Sequence, residues 1–138
     1  MRCNGLLLVG PNLQVHGIGG VTVHVKRLKD YLEFHGFKFL FLDYKLTGLR
    51  KIVLSIKDCS VVHFHISNPV YQYLLVIISR LFGKTVILTL HGNYGRFSSF
   101  KNYMVRRALS MATIPILINV KSYEACKKFN KRAVLIPA

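Results

Sequence analysis

Tryptophan is absent from this sequence, and acidic residues are scarce. The 138 residues contain 20 Lys and Arg against 5 Asp and Glu, which gives a formal net charge of +15 at pH 7. A balance this basic indicates anionic partners, such as lipid headgroups, phosphorylated substrates or nucleic acid. Apolar residues make up 51% of the chain, and this fraction excludes an intrinsically disordered protein.

Cysteines are few, and long hydrophobic runs are missing. The three cysteines are widely spaced and form no CxxC pair, so we expect reduced thiols rather than a disulfide framework or a zinc site. The longest apolar stretch, Val70–Phe82, is too short to span a bilayer. The early run Leu6–Val9 is too short for the core of a signal peptide. These features together predict a cytoplasmic protein.

Strand-like and helix-like patterns alternate along the whole chain. Continuous apolar runs are typical of strands buried on both faces, and apolar residues three or four apart are typical of amphipathic helices. The predicted strands are Leu6–Val9, Phe37–Leu42, Val61–His65, Thr85–Leu90, Ile114–Asn119 and Val134–Ile136. The predicted helices are 21–35, Leu46–Lys57, 67–82, Ser99–Met111 and Ser122–Phe129. This alternation predicts a single α/β domain over residues 1–138, a Rossmann-like parallel sheet with helices on both faces.

Two short motifs follow predicted strands, where parallel sheets bind their ligands. The first is the segment 16–24 (HGIGGVTVH), and the second is 89–92 (TLHG). Gly19 and Gly20 precede a helix that begins at Val21, so a ligand phosphate can approach bare backbone N–H groups there. The two motifs together therefore indicate a site for a phosphate-bearing ligand.

The residues alone leave other interpretations of these segments open. The glycines can form a plain flexible turn, or a dinucleotide site in which Asp43, at the end of the second strand, contacts a ribose. The spacing GxGG departs from the GxGxxG pattern of such sites. His63 and His65 alternate on one strand and so share a face, but no third metal ligand lies near them in sequence. We therefore predict no metal and no cofactor.

Several segments in order resemble a family of glycosyltransferases. The segments are 19–24 (GGVTVH), 60–65 (SVVHFH), 81–92 (LFGKTVILTLHG), 119–122 (NVKS) and 134–137 (VLIP). Together they resemble the N-terminal half of retaining glycosyltransferases of the GT-B fold, nearest to glycosyltransferase family 4. Two departures stand out. Cys59-Ser60 replaces an acidic residue before the third strand, and Ala138 follows Pro137 where the family has Asn-Gly.

The resemblance implies a function for the whole parent enzyme. It implies transfer of a sugar from a nucleotide-sugar donor, with retention, to a glycan or lipid-linked acceptor in cell-surface polysaccharide synthesis. The family's second domain, which binds the nucleotide sugar, is missing from these 138 residues, so the chain alone is expected to be inactive. No cofactor is implied besides the donor substrate.

The resemblance also implies roles for individual residues. His91 would be the catalytic residue beside the transferred sugar. The donor phosphates and substrate would be bound by Gly19, Gly20, Val21, His24 and Gly92. The acceptor cleft would be lined by His65, Asn93, Tyr94 and Arg96.

Two clusters of basic residues predict where anionic partners bind. They lie along the second and fourth predicted helices and comprise Lys45, Arg50, Lys51 and Lys57, and then Arg96, Lys101, Arg106 and Arg107. The second cluster is interleaved with aromatic residues, a composition that suits an anionic membrane surface. We expect peripheral binding to the inner face of a membrane and no nucleic-acid binding, since no nucleic-acid motif is present. The alternative function is a non-enzymatic basic module that binds an anionic membrane or a polyanion.

Overall fold

The chain alternates between strands and helices, as its hydrophobic pattern predicts. A computed structural model describes residues 5–137. The strands are β1 (Leu6–Val9), β2 (Phe39–Leu42), β3 (Val61–Phe64), β4 (Thr85–Leu90), β5 (Ile114–Leu117) and β6 (Val134–Leu135). The helices are α1 (Leu13–His16), α2 (Gly20–Phe34), α3 (Leu49–Asp58), α4 (Pro69–Leu81), α5 (Ser99–Met111) and α6 (Val120–Lys127).

All six strands belong to one parallel sheet with the order β2-β1-β3-β4-β5-β6. Strand β1 pairs with both β2 and β3, and Leu6 lies beside Phe39 on one side and Val61 on the other. From β1 to β2 the chain moves toward one edge of the sheet, and from β3 to β6 it moves toward the other edge. The direction therefore reverses between β1 and β3, and this switch point is where open α/β sheets form a ligand crevice.

Helices cover both faces of the sheet, which confirms the predicted α/β Rossmann-like architecture. On one face α2 packs against β1 and β2 in a small core that contains Leu8, Val25 and Leu32. The larger core lies on the opposite face and includes side chains from α3, α4, α5 and α6. Because side chains alternate along a strand, Val62 and Phe64 of β3 join the larger core. The other side chains of β3 therefore face α2.

The element boundaries agree with the sequence pattern to within three residues, and the largest shift is at α3, which begins at Leu49 rather than at Leu46. One helix was not predicted. The four-residue helix α1 was predicted as loop, because one helical turn is too short to show a hydrophobic period; the Asn12 side chain caps it by accepting a hydrogen bond from the Gln14 N–H. Helix α6 begins two residues before the predicted Ser122. Asn119, rather than Ser122, is its N-cap, and the Asn119 side chain accepts from the Ser122 N–H.

Of the two cysteines that the structure describes, one agrees with the expectation of reduced thiols and the other differs. Cys126 is a buried free thiol, and burial raises its pKa to about 11. Cys59, however, is disulfide-bonded, so the expectation is wrong at this position; sequence spacing cannot show which thiols meet in the fold.

Within residues 5–137, none of the helices combines the length and the apolar character needed to cross a membrane.

Candidate functional site

At the switch point, a glycine directly after β1, Gly10, allows the neighbouring elements to pack closely together. The Gly10 N–H donates to the Leu42 carbonyl on β2, and the His65 N–H donates to the Val9 carbonyl. A Cβ atom built on Gly10 would lie 3.0 Å from a methyl group of Val25 and 3.1 Å from the Cβ of His65. Gly10 therefore lets α2 and the end of β3 approach β1 closely.

We expect Gly10→Ala to destabilise the protein by about 1–3 kcal/mol, because the added methyl group forces α2 and β3 apart. The matched control is Gly48→Ala, since a Cβ at Gly48 meets no atom within 4 Å. Urea denaturation followed by circular dichroism measures both variants. If Gly10→Ala were as stable as Gly48→Ala, the close approach would have no energetic role.

Helix α2 begins beside this crevice with its backbone donors open. Its N-cap is Gly19, and no side chain caps the first N–H groups of the helix. The Thr22 hydroxyl instead folds the preceding loop onto the helix, since it accepts from the Gly19 N–H and lies 2.8 Å from the Gly17 carbonyl oxygen. An open pocket of about 390 Å³ lies here and includes Gly20, His24 and Arg27 in its lining.

Four histidines meet beside the start of α2. His24 on α2 lies 5.5 Å from His65 and 5.0 Å from His91, measured between ring centroids. His63 and His65 point to the same face of the sheet, as predicted, and their rings lie 4.2 Å apart. The sequence separations are large, and only the parallel pairing of β3 with β4 and the packing of α2 on that face bring these rings together.

Hydrogen bonds connect the cluster in two pairs. His63 Nε2 lies 2.8 Å from the hydroxyl of Thr89, and His65 Nδ1 lies 2.8 Å from His91 Nε2. His63, His65 and Thr89 are buried, whereas His24 and His91 are half-buried and reach the crevice. Thr89 is 1% exposed, so its hydroxyl is enclosed with the His63 ring.

The cluster is uncharged at neutral pH. Burial lowers the pKa of His63 to about 3, with the neighbouring His24 and His91 lowering it further. Burial, and then His24, lowers the pKa of His91 to about 4. The pKa of His65 is also well below its ordinary value, mainly through burial, and that of His24 is lowered by burial and by Arg27. A neutral imidazole has one N–H donor and one lone pair, so when His91 Nε2 donates to His65, the other nitrogen of His91 can accept a hydrogen bond at pH 7.

One buried nitrogen in the cluster lacks a partner. His65 is fully buried, and its Nε2 makes no hydrogen bond within residues 5–137. If His65 Nδ1 accepts from His91, then Nε2 carries an unpaired proton; if Nδ1 donates, then Nε2 has an unpaired lone pair. Either arrangement leaves a buried polar atom without compensation, which costs about 1–3 kcal/mol. Such an exception in a polar crevice is typical of a functional site.

The loop after β4 brings some predicted site residues to the crevice and turns others away. Gly92 has φ +133°, and the guanidinium of Arg96 covers it, since a Cβ at Gly92 would lie 3.0 Å from Arg96 Nη1. Asn93 accepts a hydrogen bond from the Asn119 side chain. Tyr94 packs against the larger core with its ring 6.0 Å from Phe129. Tyr94 therefore lies apart from the histidines, and binding roles for the loop residues stay predictions.

Sequence reasoning missed the residues that shape the loop before α2. The Asp43 carboxylate accepts from His16 Nε2 at 2.7 Å, from the Asn12 N–H at 3.0 Å and from the Lys45 N–H at 2.9 Å. Asp43 is 7% exposed and is committed to this network, so the interpretation of Asp43 as a ribose contact is not favoured. The sequence contained a signal for this role, because Asp43 directly follows a strand and is one of only five acidic residues in the chain.

The imidazoles are not arranged to bind a metal ion. Among the described residues, no group of three or more His, Cys, Asp or Glu side chains has positions that could hold one. The hydrogen bonds to Thr89 and between His65 and His91 occupy His63 Nε2, His65 Nδ1 and His91 Nε2. The arrangement offers hydrogen bonding and proton exchange to a ligand.

Comparison with known proteins gives a limited result. No protein-family model matches the chain, and no curated protein matches it. A solved structure described as "Crystal Structure of TesA" is similar in fold, with a TM-score of 0.46 and 16% sequence identity over 96% of this chain and 77% of that chain. A likeness this distant assigns no function to this chain.

These comparisons contradict the glycosyltransferase expectation, which was wrong. The similar solved structure is TesA rather than a glycosyltransferase, and no glycosyltransferase family model matches. The assignment to a GT-B half, the sugar transfer and the implied polysaccharide synthesis are all contradicted. The physical reason is that each motif was short. Glycines after β1 and apolar strands ending in a polar residue occur wherever parallel strands lead into helices.

Proposed function

We propose that this domain binds a phosphate-bearing small molecule at the carboxyl edge of the sheet, between the start of α2 and the histidine cluster. The observation that carries the proposal is the unpartnered Nε2 of the buried His65, which lies among polar rings beside open helix donors. A ligand that moves aside the half-buried ring of His24 or His91 would bring a hydroxyl or phosphate oxygen to this nitrogen. His91 would hydrogen-bond the ligand or take its proton, the role of an active-site residue in an enzyme.

Three features next to the cluster support an anion as the ligand. The first N–H groups of α2 and the positive end of its dipole point toward the crevice. Arg27 adds a cation to the lining of the same pocket. His24 connects the two regions, because it lines that pocket and its ring contacts His65 and His91.

Gly20 supports close approach by a ligand. Its φ is not positive and a Cβ there meets no atom within 4 Å, so neither backbone strain nor packing requires a glycine. The open space above Gly20 is the place where a phosphate oxygen would reach the helix donors.

We expect Gly20→Ala to weaken pyrophosphate binding about tenfold or more, because the methyl group stands where the phosphate approaches the backbone. The fold should be retained, since the Cβ meets no atom. Isothermal titration calorimetry with pyrophosphate measures the affinity. Gly48→Ala is the control, because Gly48 is the N-cap of α3, another helix start without a side-chain cap, and this substitution should leave binding unchanged.

Protein whose histidines carry a nitrogen isotope label gives a second measurement of the same site. Pyrophosphate should shift the Nε2 resonance of His65 in a long-range proton–nitrogen NMR spectrum, and Arg27→Gln should weaken that response. Pyrophosphate that binds without changing any resonance of His24, His65 or His91 would contradict the proposal. Equal losses in Gly20→Ala and Gly48→Ala would contradict it as well.

A further inference from the structure

A second basic pocket lies at the opposite edge of the sheet from the histidine cluster. It has a volume of about 480 Å³ and is lined by residues that include Arg80, Met111, Thr113, Phe129, Lys131 and Arg132. These residues come from the ends of α4 and α5, the turn before β5 and the loop between α6 and β6. Because parallel strands share their direction, that edge is the amino edge, and the pocket is separate from the site proposed above.

Arg80 is held in place with much of its guanidinium unused. Arg80 Nη1 donates to the Thr113 hydroxyl at 3.2 Å and to the Lys84 carbonyl at 3.4 Å. The hydroxyl of Thr113 also accepts from the Val86 N–H at 2.9 Å, which fixes its position. The described contacts of Arg80 involve Nη1, so the Nε and Nη2 donors remain available for the paired contacts that a phosphate accepts.

The positive charge of this pocket is not neutralised. Arg80, Lys131 and Arg132 take part in no ion pair within residues 5–137, where the ion pairs are His16 with Asp43 and Lys26 with Asp30. No Asp or Glu lines the pocket. Three cations that converge on one concave surface attract a phosphate group strongly.

Large apolar side chains are exposed beside the pocket. Leu81 and Phe82 directly follow Arg80 and are 80% and 42% exposed. On the other face of the sheet, α2 ends at the same edge, where Phe34 and Phe37 are also exposed. Apolar and aromatic side chains next to cations are the composition of a surface that enters the headgroup region of a bilayer.

We propose that this amino edge docks on an anionic membrane, with a phospholipid phosphate in the pocket of Arg80, Lys131 and Arg132 and with Leu81 and Phe82 in the apolar layer. Nucleic acid is the less favoured partner, because only Phe82 could stack on a base, whereas the more exposed Leu81 offers neither a hydrogen bond nor a stacking surface. The site is also distinct from the two basic helices to which the sequence pattern points, α3 and α5.

The absence of tryptophan from the sequence gives a direct test of the docked surface. Phe82→Trp introduces a single fluorophore at the amino edge, and Leu46→Trp introduces one at the carboxyl edge, where Leu46 is 64% exposed. With vesicles of phosphatidylcholine and phosphatidylglycerol, the Phe82→Trp emission should shift to the blue and be quenched by brominated lipid. The Leu46→Trp emission should not change.

Sedimentation with the same vesicles tests the pocket and the apolar anchor separately. Arg80→Gln with Arg132→Gln should lower the partition constant about tenfold or more, and Leu81→Ser with Phe82→Ser should lower it similarly. The matched controls lie toward the carboxyl edge: Arg50→Gln with Lys51→Gln for charge, and Leu46→Ser with Phe100→Ser for apolar surface. Both control pairs should bind nearly as well as the unaltered chain.

Several results would overturn the proposal. If the charge control, Arg50→Gln with Lys51→Gln, lost as much vesicle binding as the pocket variant, net charge alone would account for the attraction to the vesicles. Pocket variants that lose affinity for inorganic phosphate or single-stranded DNA, but keep their affinity for vesicles, would assign the pocket to a soluble anion or to nucleic acid. A lack of binding to anionic vesicles would also reject it.

Discussion

Between pH 6.5 and 4, the free energy of unfolding should fall, with a slope that reaches about 3 kcal/mol for each pH unit near pH 5. In the folded protein the pKa is about 3 for His63 and about 4 for His91, against 6.5 for an ordinary histidine. Below pH 6.5 the unfolded chain therefore binds protons that the folded chain excludes. The stabilisation is complete above that pH and is lost as the pH falls toward these folded values.

Urea denaturation at a series of pH values measures this slope. The chain has only five Asp and Glu residues, so carboxylates contribute less to acid unfolding than in most proteins. A free energy of unfolding that stayed constant from pH 7 to about 4.5 would show that the histidines are not buried as described.

A double variant separates His63 from the rest of the cluster. His63→Leu with Thr89→Val removes both partners of a buried hydrogen bond and fills the space with apolar atoms, which is close to neutral for stability at pH 7. The pH slope should fall by about 1.4 kcal/mol per unit, the contribution of one proton. Thr89→Val alone keeps the imidazole and should keep the slope.

Asp43→Ala should destabilise the protein by about 3 kcal/mol, the second large effect we expect. The substitution leaves two backbone N–H groups and the ring of His16 without their shared acceptor, and each lost hydrogen bond to a charged group costs about 1.5–3 kcal/mol before solvent replaces part of it. Because Asp43 ties β2 to the loop before α2, the pyrophosphate site should be lost as well.

Asp30 provides the matched control for Asp43. Asp30 also pairs with a cation, Lys26, but both side chains are at least half exposed. Asp30→Ala should therefore change the free energy of unfolding by less than about 0.5 kcal/mol. Chemical denaturation and pyrophosphate titration measure both variants. Equal effects at Asp43 and Asp30 would mean that the buried network adds nothing beyond an ordinary surface pair.

Function was the part of the sequence interpretation that failed. The motif around His91 and the glycines before α2 were interpreted as those of a glycosyltransferase, and the comparisons contradict that assignment. The same residues nevertheless lie at the edge of the sheet that the pattern predicts. Position follows from the fold class, but chemistry depends on which side chains face each other there.

The sequence by itself determined the secondary structure and the fold class. The strand Thr85–Leu90 and the helix Ser99–Met111 have the boundaries that the hydrophobic period predicts, because period and caps are local properties of the chain. It also determined that His63 and His65 share a face, since side chains alternate along a strand.

The tertiary structure alone decided what those histidines contact. Which face of β3 meets α2, and which strand lies beside it, depends on the strand order and on the crossing of α2 over β1. These contacts join residues 26 to 67 positions apart, from His65–His91 to His24–His91. The free energy of such contacts comes from packing and burial in the complete sheet, and no local pattern in the sequence records it. The neutral histidine cluster and its unpartnered nitrogen are therefore products of the fold.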